Sequence, residues 1–471
     1  MQAKIFFGSN EESRDKLSDR VSPYSAKVVS QAPICDENDA KKALQIAQDA
    51  SKVAKKTPLS QRCNWLLDVA RKLQENKEDI AKTITDEVGK PITFARVEVQ
   101  RAIETITLSA ETMRTMVGET INTDAMDSGK QTTAFFKRES VGVVVAITPF
   151  NFPLNLVAHK IAPALVAGNC VVLKPTPEAP LTAYKFAKLF IESEYATKDA
   201  LSVVYGDAEV GSALIKSDIP RVISFTGSVP VGNIITKNAG IKKVSLELGG
   251  NAATYIEESA DLNLAAQKCA LGAFVNSGQV CISLQRIYVD AKVYDEFASK
   301  IAKETKKLKV GSPYDDDTFM GPLIDAEAVE RATFWVESAV AEGARALLDL
   351  KTDGRIFYPS VMADVRDDMA IICEEVFAPI VSLVKVENFD EAIEKMNNSP
   401  YGLQFSVFTN SLSVTKKAID ELEAGGIVIN DMPTLRFDIQ PYGGVKLSGV
   451  GREGPRFTIE EMTEIKSVVI C

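Results

Sequence analysis

The stretch VGVVVAITPFNFPLNLVAHKIAPALVAGNCVVLKP, residues 141–175, reads as strand, helix, strand. VGVVVAI is rich in β-branched residues and carries no charge, the texture of a strand covered on both faces. Pro153 suits the first turn of a helix, where a missing N–H costs nothing. That helix is expected to run to about Ala167, and CVVLK (170–174) returns as a strand. The alternation continues downstream with LTAYKFAKLFIESE as helix, LSVVYG as strand, VGSALIK as helix and RVISFTG as strand. Repeated βα units of this kind predict a parallel sheet with helices on both faces.

A second series begins after Gly250, with AATYIEE, a helix from Leu262 to Asn276, RIYVD, VYDEFASKIAKETKK and then APIVSLVKV, LQFSVFT and GGIVIN. Upstream, from Asp36 to about Val117, apolar residues recur at three- and four-residue spacing, which predicts helices. Between the helical part and the first sheet, Asp127-Ser128-Gly129 offers a turn between two short strands, a hairpin projecting from the larger units. The terminal EEMTEIKSVVIC reads as one more strand, expected against the hairpin of a neighbouring subunit. The expected class is α/β. A chain of 471 residues exceeds one compact core, so two or three domains are expected.

Composition narrows the function. With 54 basic and 64 acidic residues the net charge is −10, and no basic run stands out. Nucleic acid and anionic lipid are therefore not expected as main partners. The seven cysteines, Cys35, Cys63, Cys170, Cys269, Cys281, Cys373 and Cys471, are scattered, and His159 is the single histidine. That pattern predicts neither a metal site nor a disulfide framework. The first residues, MQAKIFFGSNEESRDK, lack the apolar core of a secretory signal, and no apolar run has the length of a membrane span. A reducing cytoplasm is the expected location.

Several strand ends carry groups suited to chemistry. Asn151 stands between Pro149 and Pro153, where its amide either donates to a developing oxyanion or caps the following helix. Asn155 and His159 are four apart on one helical face. Lys174 ends a strand of a parallel sheet, the edge where open α/β folds place ligands. Gly227, Ser228 and Gly232 at a strand–helix joint allow a pyrophosphate near a helix N-terminus. Glu247 ends an alternating strand just before Gly249-Gly250, a position that suits a general base. Glu375 and Phe377 would point the same way if extended. Cys281, in FVNSGQVC, is a nucleophile or a packing thiol; nothing in its immediate neighbours decides.

In order along the chain, TPFNFPLN, the KP after the next strand, FTGSVPVG, ELGGN, GQVC, EEVFAP and PYGGVKLSGVGREG resemble the motifs of the aldehyde dehydrogenase superfamily. Glu247 and Cys281 stand 34 residues apart, the separation expected of that family. The resemblance implies a Rossmann-type cofactor domain (1–117 and 138–247), an α/β catalytic domain (248–450) and a β-hairpin oligomerisation element (118–137 and 451–471). It implies Cys281 as nucleophile, Glu247 as base, and Asn151 with the Cys281 backbone N–H as oxyanion donors. NAD or NADP would lie against Thr148, Pro149, Lys174, Pro177, Gly227, Ser228, Gly232, Leu248, Glu375 and Phe377. Many NAD-using relatives have a glutamate where Pro177 stands here, which leaves the choice between the two cofactors open. Ala378 replaces a usual glycine. Ser277 and Gly278 are expected to leave room for the cofactor and aldehyde beside the sulfur.

For the substrate the resemblance points to Arg101, Asn155, His159 and Arg436, with Arg286 as a further candidate. Together they suggest a short polar aldehyde. Lactaldehyde or a similar hydroxyaldehyde comes first, ahead of succinic semialdehyde and glyceraldehyde 3-phosphate oxidised without phosphorylation. Retention of Glu247 favours water over coenzyme A as acyl acceptor. The alternative from another class is a cysteine-dependent esterase or hydrolase, in which His159 would have to activate Cys281. The expected assembly is a homodimer or homotetramer.

Overall fold

A computed structural model describes residues 1–471. Its first large sheet has eight strands in the order Asn10–Glu12, Ile5–Phe7, Leu201–Val203, Cys170–Lys174, Val143–Ile147, Val222–Thr226, Lys243–Glu247 and Gly449–Val450. The five strands from Leu201–Val203 to Lys243–Glu247 are mutually parallel, as the βα alternation predicts. Antiparallel strands close both edges. VVVAI at 143–147 is covered on both faces, and only Ile147 at its carboxyl end is partly exposed.

The second large sheet has seven strands, in the order Arg345–Ala346, Ser360–Ala363, Ile380–Val386, Leu284–Asp290, Ala252–Ile256, Gln404–Phe408 and Gly426–Ile429. All pairs are parallel except the first. Lys243–Glu247 of the first sheet leads into Ala252–Ile256 of the second through only residues 248–251. The carboxyl ends of the first sheet therefore lie toward the amino end of the second.

The helical reading of residues 36–117 holds. Helices Glu37–Ala54, Leu59–Glu75, Lys77–Val88 and Ile92–Thr115 follow one another there, the first opened by a capping box at Asp36. Two of them supply buried carboxylates to helices of the first sheet. Glu87 accepts from the backbone N–H groups of Leu181 (2.8 Å) and Thr182 (2.9 Å), at the start of helix Pro180–Ile191. Glu98 accepts from Leu154 (2.9 Å) and Asn155 (3.1 Å), at the start of helix Asn155–Val166, and its other oxygen pairs with buried Lys90. Each carboxylate satisfies donors that a helix leaves open at its first turn.

Strands Glu119–Ile121 and Thr133–Ser140 form the expected hairpin, with short 3₁₀ turns between them. The terminal strand Thr463–Ile470 pairs along its whole length with Thr133–Ser140 of the same chain. This corrects the expectation that it joins a neighbour's hairpin. Pairing within the chain is available because helix Pro455–Glu461, resting on helices Ile92–Thr115 and Asn155–Val166, delivers the chain end beside Ser140. The strand Thr133–Ser140 also runs through the domain boundary expected at 137/138. No helix is long and apolar enough to cross a membrane.

Candidate active site

In the first sheet, Val143–Ile147 lies between Cys170–Lys174 and Val222–Thr226, so the chain leaves it in opposite directions on its two sides. The crevice beyond the carboxyl ends of strands at such a switch point is where open α/β sheets bind ligands. A cavity of about 510 Å³ opens there. One bank comprises Pro149, Phe150, Asn151, Thr226, Gly227, Ser228, Glu247 and Leu248; the other includes Val275, Asn276, Val280, Cys281, Glu375 and Phe377.

Cys281 follows helix Leu262–Phe274 through a left-handed run, with φ of 51° at Asn276, 55° at Ser277 and 71° at Gly278. A Cβ on Gly278 would meet the Ala378 carbonyl oxygen at 2.2 Å, so glycine is required for this loop to dock. Ser277 Oγ donates to the Gly321 carbonyl at 2.9 Å. The room expected at Ser277 and Gly278 is thus taken up by protein. Their smallness serves the close approach of two loops. Cys281 is partly exposed and lines the cavity, and 3.0 Å from its sulfur lies the hydroxyl of Tyr442. Burial pushes the thiol up to about 11, against the pull of the Tyr442 hydrogen bond and the Arg436 charge.

Asn151 does not cap the helix after it, because Glu98 does. Its Nδ2 donates to the Gln279 carbonyl at 3.0 Å, which leaves the second N–H of the amide for another acceptor. Asn276 Nδ2 reaches the Asn151 carbonyl at 3.4 Å, tying the two loops together. The Cys281 backbone N–H has no backbone acceptor. Two uncommitted donors therefore line the cavity that the cysteine faces, one from each bank, as an oxyanion site requires.

Glu247 is 3% exposed, and neither carboxyl oxygen has a hydrogen-bond partner. Burial, followed by the charge of Glu453, raises its pKa well above the usual carboxylate range. Glu453 is equally buried but contacts Lys160 at 3.2 Å and Arg436 at 3.0 Å. Burial opposes its charge, yet Lys160, His159 and Arg436 hold it at about 2. Glu247 thus binds a proton more strongly than an ordinary carboxylate, which makes it the stronger base when ionised, while the cations around Glu453 favour its charged form.

The expected cofactor residues divide into two groups. Pro149, Gly227, Ser228, Leu248, Glu375 and Phe377 line the cavity; Thr148, Lys174, Pro177 and Gly232 lie outside its wall. The buried Thr148 and Thr226 hydroxyls have no partner. Helix Val229–Asn238 starts without a side-chain cap, leaving its N–H groups toward Gly227 and Ser228. A Cβ on Gly232 would meet the Leu248 side chain at 2.7 Å, so glycine seats this helix on Leu248. Burial lowers the pKa of Lys174. Glu375 accepts from the Gly250 N–H at 3.0 Å, and burial raises it to about 7. Phe377 is left-handed (φ 50°), not extended, and its ring meets Phe150 edge-on at 6.1 Å. Unpaired hydroxyls, an open helix N-terminus and a strand-end lysine fit a dinucleotide.

The expected substrate residues meet at a residue the motifs did not indicate. Asp438 accepts from Arg101 (2.9 and 2.6 Å), His159 (2.9 Å) and, at 3.4 Å, Asn155. Arg101, Asn155 and Arg436 line the cavity, whereas His159 is fully buried behind it. Its ring contacts are Asp438, Thr105 and Arg436, so no imidazole activates Cys281 and the cysteine-hydrolase alternative loses its base. Arg286 is placed elsewhere: its guanidinium is spent on the carbonyls of Asn251, Lys395 and Met396. Sequence reasoning missed Asp438, Tyr442, Glu453, Glu98 and Lys90. The available signal was that buried cations need counter-charges, and Asp438 stands only two residues after Arg436.

The sequence matches the family model described as aldehyde dehydrogenase family over residues 9–468. It is 42% identical over 470 residues to the 3-sulfolactaldehyde dehydrogenase of Priestia aryabhattai, covering 100% of this chain and 98% of that one. It is 40% identical over 452 residues to the lactaldehyde dehydrogenase of Methanococcus aeolicus, covering 95% and 96%. Among solved structures, a glyceraldehyde-3-phosphate dehydrogenase from Methanocaldococcus jannaschii complexed with NADP superposes with a TM-score of 0.93. Identity to it is 40%, covering 97% of this chain and 100% of that one.

Proposed function

This chain belongs to the aldehyde dehydrogenase family, and from that premise we propose that it oxidises a short hydroxyaldehyde, lactaldehyde or one like it, to the carboxylate. It is an NAD(P)-dependent oxidoreductase acting on aldehydes. The observation that carries the substrate reading is the charge balance of the cavity. Arg101 is matched by Asp438, Arg436 by Glu453 and Lys90 by Glu98. A wall whose cations are already neutralised offers many hydrogen-bonding groups but little net charge, which suits hydroxyls on a small substrate.

In this reading Cys281 is the nucleophile, and Glu247 takes the proton that the thiol loses on attack. Asn151 Nδ2 and the Cys281 backbone N–H hold the oxygen that becomes negative. Bound NAD(P) supplies the acceptor for the hydride that leaves the substrate carbon. Lys174, Thr148, Gly227, Ser228 and the open end of helix Val229–Asn238 would hold its adenosine and phosphates, with Pro177 and Gly232 shaping that end. Pro149, Leu248, Glu375 and Phe377 would flank its nicotinamide. Glu247 gives the thiol proton to solvent and then draws a proton from water, which replaces sulfur on the acyl carbon and releases the acid. We assign residues 1–117 and 141–247 to cofactor binding, 248–450 to catalysis, and the hairpin through Ser140 with the chain end to assembly as a homodimer or homotetramer. The scattered free cysteines support a reducing, cytoplasmic setting.

One observation favours a second reading. Arg101 keeps a quarter of its side chain accessible, and it faces the cavity. A hydroxyaldehyde with a terminal anion, such as a sulfonate or phosphate, would use that guanidinium, as the relatives' substrates suggest. The test is kcat/KM for lactaldehyde, 3-sulfolactaldehyde, glyceraldehyde 3-phosphate and succinic semialdehyde, each with NAD and with NADP. Lactaldehyde should rank first; a hundredfold advantage for any anionic aldehyde would reverse the order.

A further inference from the structure

Tyr442 is held from three sides, and its hydroxyl has one partner. Its backbone forms a two-way bridge with Glu453, the Tyr442 N–H donating at 2.9 Å and its carbonyl accepting at 2.6 Å. Over its ring lies the Arg436 guanidinium, 3.7 Å from the centroid, itself fixed by Glu453 at 3.0 Å. The ring packs with Val280 and Ile282, which flank Cys281, and with Leu403. All this places the hydroxyl 3.0 Å from the Cys281 sulfur, its sole hydrogen-bond contact. A phenol buried to 6% exposure ordinarily finds a strong oxygen or nitrogen partner. Here it is aimed at a sulfur, a weak partner as a thiol and a strong one as a thiolate.

We propose that Tyr442 is a further catalytic residue, whose hydroxyl donates to the Cys281 sulfur whenever that sulfur carries negative charge. The inference rests on the reading of Cys281 as the nucleophile. At rest the thiol donates to the phenol oxygen. When the thiol proton passes to Glu247, the phenol O–H turns toward the sulfur and donates instead. Once carbon is bonded to the sulfur the charge has gone, and the contact weakens. It returns when the acyl group leaves. By then Glu247 has passed the thiol proton to solvent; the water oxygen bonds the acyl carbon, one water proton goes to the freed Glu247 carboxylate, and the C–S bond breaks with its electron pair passing to sulfur. Tyr442 thus stabilises both the attacking thiolate and the departing one. The Arg436 cation over the ring favours a phenol that gives its hydrogen bond away. The charged and titratable groups facing Cys281 are Tyr442, Arg436, Glu375 and Glu247. Among them, only Tyr442 is in hydrogen-bond contact with the sulfur.

The experiment compares full-length wild type, Tyr442→Phe and a variant with 3-fluorotyrosine at 442, whose phenol is a stronger acid. Iodoacetamide alkylation at Cys281 is followed by peptide mass from pH 6 to 11, with exposed Cys373 and Cys471 as internal references. Phe keeps the ring and its packing but removes the donor. It should move the Cys281 inflection up by about one pH unit, the order expected for losing a hydrogen bond to a charged group. It should also lower kcat about tenfold and leave aldehyde KM within about twofold. Fluorotyrosine should move the inflection down. The reference cysteines should not move. An unchanged Cys281 inflection in both variants overturns the proposal. Activity retained by Cys281→Ala would instead overturn the nucleophile assignment, whatever Tyr442 does.

Discussion

At the scale of single residues, the site raises the proton affinity of Glu247 and Cys281 by removing what would stabilise their charges. Glu247 has no partner for either oxygen, so its burial is a net cost to the fold. Because its folded-state pKa lies above that of the unfolded chain, the folded protein holds a proton that the unfolded chain releases. Stability contributed this way falls as pH rises from the ordinary carboxylate range through the folded value. Glu247→Gln should therefore lose turnover yet gain stability over wild type as pH is raised from about 5 to 8, by roughly 1–3 kcal/mol in urea unfolding. The same variant should accumulate acyl-enzyme in a burst, since hydrolysis loses its base. Asn151→Ala should lower kcat by about 10²–10³ with little change in cofactor affinity, measured by steady-state kinetics and cofactor titration. Cys281, Glu247 and Asn151 can be singled out in the sequence because motifs are local strings. Tyr442, Asp438 and Glu453 were not singled out, because what matters about them is contact across the fold. Tyr442 sits 161 positions from the sulfur it touches.

Elements were read well where the signal is periodic and poorly where it is short. VVVAI, CVVLK and the helices of 36–117 announce themselves by β-branched runs or three- and four-residue spacing. Ile5–Phe7 and Asn10–Glu12 are three residues each, too brief for alternation to show, and were not anticipated. The Glu98 cap was equally hidden, because it reaches its helix from 56 positions upstream and no local capping pattern exists. That cap has mechanical weight. It starts the helix that follows the Asn151 loop and neutralises a lysine with 1% of its side chain exposed. Glu98→Ala would leave Lys90 charged and buried and two backbone donors unmet. Urea unfolding should show a loss of about 3–5 kcal/mol, and kcat should fall because the Asn151 amide loses its fixed mount.

At the scale of the molecule, the three-stranded sheet built from the hairpin and the chain end leaves Ile121, Ile465, Val469 and Ile470 exposed. Apolar side chains along a sheet edge invite another copy. Sedimentation velocity should find a dimer or tetramer, and Ile465→Lys with Val469→Lys should yield a smaller species with its fold intact by circular dichroism. The sheet order was implied by the βα alternation, but the destination of the last strand was not. A strand's hydrophobic pattern says which face is buried and leaves open which chain it joins. The link at residues 248–251 has a different consequence. A Cβ on Gly249 would fall 2.5 Å from a Glu375 oxygen, and one on Gly250 2.1 Å from the Cys281 carbonyl oxygen. The tether between the sheets is thus threaded through the cavity wall, and the largest apolar cluster draws on both sheets. Neither half has a surface along which to separate without opening the other's interior. Heated in a calorimeter, the protomer should absorb in a single cooperative transition, and the two halves, expressed apart, should not fold.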